Sequence, residues 1–252
     1  MPDFALPPPP PPSQAAYTLL FLAGVLSSAL LWNRVARPAG SHVLIYVGAL
    51  LGLLVGAKLG FALAELPFIW GAPDLWTQLL WGKTILGGLL GGYAGVELGK
   101  RACGVTAATG DGFALTAPFA LALGRLGCAL RGCCAGKICE PAWYAQRDSM
   151  GVFRYPAQLA ELVFHLAALG ALWSAHTYIV PKHPRLKGQL FHLYLMTYGV
   201  YRFLSEFFRD TPRYAFGLSP YQVLALLLML FAFWRFQVRA RENSLPVSPA
   251  QA

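Results

Sequence analysis

YLMTYGVYRFLSEFFR, residues 194–209, places Tyr194, Tyr198, Arg202 and Glu206 at successive i, i+4 positions of an otherwise oily segment, with Arg209 one further turn on. In a helix those positions form one slowly winding stripe. The residues around it, among them Leu193, Leu195, Met196, Val200, Phe203, Leu204, Phe207 and Phe208, are what a membrane span requires. An arginine inside such a span costs about 2.5–3.5 kcal/mol on insertion scales, so it needs a partner, a watery cavity or a ligand. Arg125, within ALALGRLGC at 120–128, poses the same question. The two arginines read as one site, which the other helices enclose.

Composition supports a membrane setting. The chain has 252 residues, 56% of them hydrophobic and 12% charged, with a mean hydropathy of +0.50; a soluble domain carries about 25% charged residues. The formal charge of +9 falls mainly in short loops between apolar runs. It therefore reads as a topology signal and an attraction to anionic headgroups, with no call for nucleic acid. Five cysteines neither require a disulfide framework nor exclude one.

Residues 1–14 contain the proline run Pro7 to Pro12 and no Lys or Arg, a stiff solvated arm rather than the basic start of a cleavable signal peptide. Seven apolar stretches follow, near 15–33, 42–64, 79–99, 112–131, 156–178, 188–208 and 220–236. Each is expected to cross the bilayer as a helix of about 20 residues. The organisation is then an arm at 1–14, an all-α domain of seven transmembrane helices at 15–236 and a tail at 237–252. Arg34 and Arg37, Lys100 and Arg101, Lys182, Arg185 and Lys187, and Arg235, Arg239 and Arg241 cluster in alternate connections. The positive-inside rule then puts the N-terminus outside and the C-terminus inside. The long connection at 132–155 falls on the outer side. Gly87, Gly91, Gly95 and Gly99 recur every four residues, with Gly88 and Gly92 beside them, forming a small-residue face for close helix approach. Lys58 and Lys83 are read either as snorkelling to an interface or as lining a polar cavity.

Taken together, these segments resemble the bacterial prolipoprotein diacylglyceryl transferases. Gly124-Arg125-Leu126-Gly127 through Gly136 is similar to the family signature Gly-Arg-Ile-Gly-Asn, followed by Asn-Gly-Glu and a glycine three residues later. Arg154-Tyr155-Pro156-Ala157-Gln158-Leu159-Ala160-Glu161 resembles its Arg-His-Pro-Ser-Gln-Leu-Tyr-Glu, and residues 198–209 match its Tyr-Gly-x-x-Arg-x-x-x-Glu-Phe-x-Arg. Gly217 to Gln222 match a following Gly and Gln, Gly56 to Phe61 resemble Gly-Ala-Arg-Leu-Gly-Tyr, and Tyr17 falls where the first helix has a functional tyrosine. The departures concern the chemistry. The family's Ser-Phe-His-Gly-Gly reads Thr84-Ile85-Leu86-Gly87-Gly88 here, so Leu86 stands in the histidine's place. Cys128 and Cys133 replace the signature's Asn and Glu, and Tyr155 replaces the histidine before the later proline.

The resemblance implies transfer of diacylglyceryl from phosphatidylglycerol to the lipobox cysteine of a preprolipoprotein, at the bacterial inner membrane, with no cofactor and no metal. Such a reaction needs a thiolate, since a free cysteine has a pKa of about 8.5, and cations to hold the departing phosphate. Arg125 and Arg202 suit the second need, because guanidinium stays charged and grips phosphate oxygens bidentately. Glu206 would hold the Arg202 fork, Tyr198 and Tyr17 would donate to phosphate or glycerol oxygens, and Lys83 would touch the phosphate or acidify a thiol. Gly87, Gly88, Gly136, Arg154, Gln158 and Arg209 are the further substrate-contacting positions that the resemblance implies. His42, His165, His176, His183 and His192 read as interface or packing residues.

Two other readings come from different classes. One is a paralogue that keeps the phosphate cradle and binds or transports anionic lipid. The other is a redox or metal protein built on Cys128, Cys133, Cys134 and Cys139, which could form a disulfide or hold a soft metal. Adjacent Cys133 and Cys134, with no Cys-x-x-Cys pair, do not match a standard zinc site.

Overall fold

A computed structural model describes residues 14–35, 42–148 and 150–244. The proline run, Arg37 and the last eight residues of the tail lie outside the described residues. The described chain forms α1 (Gln14–Val35), α2 (His42–Ile69), α3 (Leu75–Trp81), α4 (Ile85–Ala102), α5 (Gly110–Arg131), α6 (Ala157–Ser174), α7 (Leu190–Ser205) and α8 (Pro220–Glu242). A two-stranded antiparallel hairpin, β1 (Gln146–Arg147) and β2 (Phe153–Arg154), lies in the long connection before α6.

Among the described residues, five helical stretches are long and apolar enough to cross a membrane: Ala15–Arg34, Val43–Ile69, Gly110–Arg131, Ala157–Lys182 and Pro220–Glu242. The expected third span, 79–99, is not one helix. It breaks at Gly82-Lys83-Thr84, where Gly82 and Thr84 are extended (ψ 141° and 139°). The Lys58 amino group donates to the Leu79 and Leu80 carbonyls, placing a cation at the carbonyl end of α3. The Phe61 ring occupies the space a Gly82 side chain would need. The sixth stretch is also shorter than expected, because α7 stops at Ser205 and a 3-10 turn, Glu206–Phe208, finishes it.

The helices turn oil outward. Leu19, Leu26 and Leu63 are 67%, 63% and 72% exposed, and an exterior of this kind has to be covered by something apolar. The interior holds Gln158, Glu161, His165, Gln189, Glu206, Ser219 and Gln222 at 0–1% exposure. Such groups survive inside only when paired. The Ser219–Gln222 capping box shows this locally: the Ser219 hydroxyl accepts from the Gln222 N–H at 3.1 Å, and the Gln222 side chain accepts from the Ser219 N–H at 2.9 Å.

The glycine face of α4 finds its partner on α2. Gly48, Gly52, Gly56 and Gly60 carry the same four-residue spacing, and the two stripes meet backbone to backbone. A Cβ at Gly91 would run into the Gly52 carbonyl oxygen and come to 2.7 Å from the Gly56 Cα. We therefore expect Gly91→Val to destabilise the bundle by about 1–3 kcal/mol through overpacking. Thermal unfolding in detergent measures this, and an unchanged Tm would contradict the contact.

Candidate functional site

The buried stripe of α7 does not pair only with itself. Its neighbour is Glu161 on α6, a fully buried carboxylate. Arg125 of α5 reaches Glu161 Oε2 through Nη2 at 2.7 Å, and Arg209, just past α7, reaches the same oxygen at 2.9 Å. The Tyr198 hydroxyl donates to Glu161 Oε1 at 2.8 Å. His165, one turn along α6, has Nε2 3.8 Å from Oε1, and its Nδ1 pairs with the Tyr194 hydroxyl at 3.1 Å.

Beside this hub sits the pair that the i, i+4 spacing predicts: Arg202 Nη2 lies 2.8 Å from Glu206 Oε2. The Thr211 hydroxyl donates to Glu206 Oε1 at 2.6 Å. The Arg202 guanidinium also lies over the Tyr221 ring, 5.6 Å from its centroid, while the Tyr221 hydroxyl donates to Glu65 of α2 at 2.7 Å. Three guanidiniums thus face two carboxylates in direct ion pairs. Each keeps a buried N–H with no hydrogen-bond partner among the described residues: Arg125 Nε, Arg202 Nη1 and Arg209 Nε. The cluster carries surplus positive charge and unspent donors.

Glu161 is not among the candidate site residues that the sequence singles out, although it closes the quoted 154–161 motif, and His165, read there as a packing residue, adjoins it. The available signal was their own i, i+4 spacing on an apolar helix, the same sign that singled out α7.

The remaining sequence-predicted residues divide into three groups. Tyr17, on α1, lies with Lys83 Nζ 6.0 Å and the Arg131 guanidinium 5.3 Å from its ring centroid. Lys83 is exposed in the α3–α4 break. Gly87 and Gly88 are buried against α2, with Gly87 beside the Gly56 and Gly60 backbone. A Cβ at Gly87 would come to 2.9 Å from the Gly60 Cα, whereas one at Gly88 would meet its nearest neighbours, Leu53 and Ala57, at 3.5–3.6 Å.

Gly136, Arg154 and Gln158 organise the long connection. The Gly136 N–H donates to the Tyr155 carbonyl at 2.7 Å, and the Lys137 N–H donates to the Phe208 carbonyl at 2.9 Å, which ties the loop to the end of α7. Arg154 pairs with Asp148 at 2.7 Å and also reaches the Gly136 carbonyl at 3.4 Å. Gln158 donates to Gln146 Oε1 at 2.6 Å. Arg154 holds the Asp148 carboxyl below its ordinary range, helped by N–H donors from Val152 and Met150. Leu86, in the family histidine's place, is fully buried.

Three thiols adjoin the cluster. Cys128, Cys133 and Cys134 have their sulfurs within 4.8 Å of one another, whereas Cys139 hydrogen-bonds through its N–H to Phe153 in the loop. Hydrogen bonding from Cys128 and Cys133, then the Arg125 and Arg209 charges, pushes the exposed Cys134 thiol below its ordinary pKa. A lowered pKa means that thiolate persists as pH falls. Cys134 is therefore expected to alkylate with iodoacetamide at about pH 6, where an ordinary cysteine is almost wholly protonated. Labelling rates against pH, mapped by mass spectrometry, check this; a profile centred near 8.5 would contradict it.

Apolar faces turned outward around an ionic core define a polytopic helical membrane protein. A family model described as "Prolipoprotein diacylglyceryl transferase" matches residues 10–238, and the chain belongs to that family of transferases. It is 33% identical over 207 residues to a protein of Bordetella avium (strain 197N), covering 78% of this chain and 76% of the relative. It is 31% identical over 250 residues to one from Solidesulfovibrio magneticus, covering 90% and 91%, and 29% identical over 240 residues to one from Photobacterium profundum, covering 86% and 88%. All three relatives are named phosphatidylglycerol–prolipoprotein diacylglyceryl transferase.

Proposed function

We propose that this chain transfers the diacylglyceryl group of phosphatidylglycerol to the lipobox cysteine thiol of preprolipoproteins, in the bacterial cytoplasmic membrane. Seven spans, with the N-terminus outside and the C-terminus inside, complete the reading. A sulfur–carbon bond forms, the carbon–oxygen bond to phosphate breaks, and glycerol phosphate leaves. The thiol proton passes to solvent or to the departing phosphate.

The observation that carries this proposal is the surplus of Arg125, Arg202 and Arg209 over Glu161 and Glu206, with an N–H on each arginine that is unpaired among the described residues. A phosphodiester headgroup bears one negative charge and unshared oxygen lone pairs, so it meets both needs at once. Charge develops on that phosphate as the carbon–oxygen bond breaks. Donors already fixed in a dry site then stabilise the transition state more than the ground state. Tyr198 fixes the orientation of Glu161, Glu206 fixes the Arg202 fork, and Tyr17 and Lys83 meet the substrate beside the long connection. With Leu86 where the family has histidine, the positive field of the cluster and Lys83 supply the acidification of the incoming thiol. The decisive experiment is rescue of a strain depleted of its own transferase, read as the mass shift of a lipoprotein. Rescue by the wild-type chain is expected; lipid binding without thioether formation would leave only a phospholipid-binding paralogue.

A further inference from the structure

The geometry points to a thiophilic cation site formed by Cys128, Cys133 and Cys134, separate in chemistry from the phosphate cradle beside it. The local fold explains how residues with no Cys-x-x-Cys spacing come together. Helix α5 ends in a Schellman motif: Gly132, in the left-handed region at φ 69°, donates its N–H to the Ala129 carbonyl, and Cys133 donates its N–H to the Cys128 carbonyl, each at 3.1 Å. That motif lays the residue two past the cap over the residue three before it, which here sets Cys133 on Cys128. Cys134 then adopts φ 65°, the one positive φ among the described non-glycine residues. Its sulfur lies 3.6 Å from that of Cys133.

These separations match a metal centre. A zinc–sulfur bond of about 2.3 Å puts the sulfurs of a tetrahedral site about 3.8 Å apart, and three soft donors alone suit copper(I) or zinc(II) with one open position. The three sulfurs, with one pair at 3.6 Å and all within 4.8 Å, need only a small closure. Access is graded, with Cys128 buried, Cys133 intermediate and Cys134 exposed, so an ion can enter from one side. Cys103 lies just past α4 and is not part of the trio.

The test uses the reduced full-length chain in detergent, loaded in parallel with buffered copper(I) under anaerobic conditions and with zinc(II), then desalted. We expect one ion per chain with at least one of the two metals, and at least tenfold less retained in Cys128→Ser and Cys134→Ser. Retention should be unchanged in the Cys103→Ser/Cys139→Ser double variant. Metal loading of the wild-type chain should also protect Cys128, Cys133 and Cys134 from alkylation, a readout that needs no variant to fold. Absence of stoichiometric retention for both metals, retention indifferent to Cys128 and Cys134, or equal alkylation with and without metal would overturn the site. None of these readouts involves lipid transfer, so failure here leaves the proposed activity standing.

Discussion

Replacing Glu161 by glutamine is expected to produce the largest loss of stability of any single isosteric change in this protein. The side chain is fully buried and takes Arg125, Arg209 and Tyr198 together. Glutamine preserves shape but removes the charge, so two guanidiniums lose their shared counter-ion inside the bundle. Removing one partner of a buried pair costs about 3–5 kcal/mol, most of it from the charge left behind. The expected result is a markedly lower Tm in detergent and loss of lipidation. A charge-balancing second change, Glu161→Gln with Arg125→Gln, should recover part of the stability, since contacting residues couple by about 0.5–3 kcal/mol. A Glu161→Gln chain as stable and active as wild type would show that the carboxylate is not the hub.

The second large effect concerns catalysis. Arg125→Ala and Arg202→Ala are each expected to lower the rate of lipidation about 10²–10³-fold, the usual consequence of deleting one preorganised donor to developing charge. Lysine at either position should recover little, because an ammonium cannot reproduce the planar fork that grips carboxylate and phosphate together. Arg154 is the contrast. It resembles a family position, yet here it pairs with Asp148 across the β1–β2 hairpin. Arg154→Ala should therefore weaken the loop while leaving far more activity than the other two. The assay is transfer from phosphatidylglycerol vesicles to a lipobox peptide, followed by mass. Full activity in both Arg125→Ala and Arg202→Ala would remove the phosphate cradle from the mechanism.

Several errors of the sequence reading share one cause. Periodicity reports what faces the same way on one helix, but not what stands opposite. It found Arg202 and Glu206 because they are neighbours on a single turn. It missed Glu161 as the partner of Arg125, because that contact joins two helices. It found the glycine face of α4 without its mate on α2. It also carried the third span through Gly82-Lys83-Thr84, where the Phe61 ring and the Lys58 amino group favour a break.

The sequence by itself determined the membrane setting, the helical class, the pairing along α7 and the family resemblance, because each depends on composition or on spacing within one segment. Only the tertiary structure decided that Arg125, Arg209 and Tyr198 converge on Glu161, that the long connection is tied to the end of α7, and that three cysteines share one corner. Those are contacts between segments far apart in the chain, chosen by which buried charges and donors need one another in a medium that offers them no water.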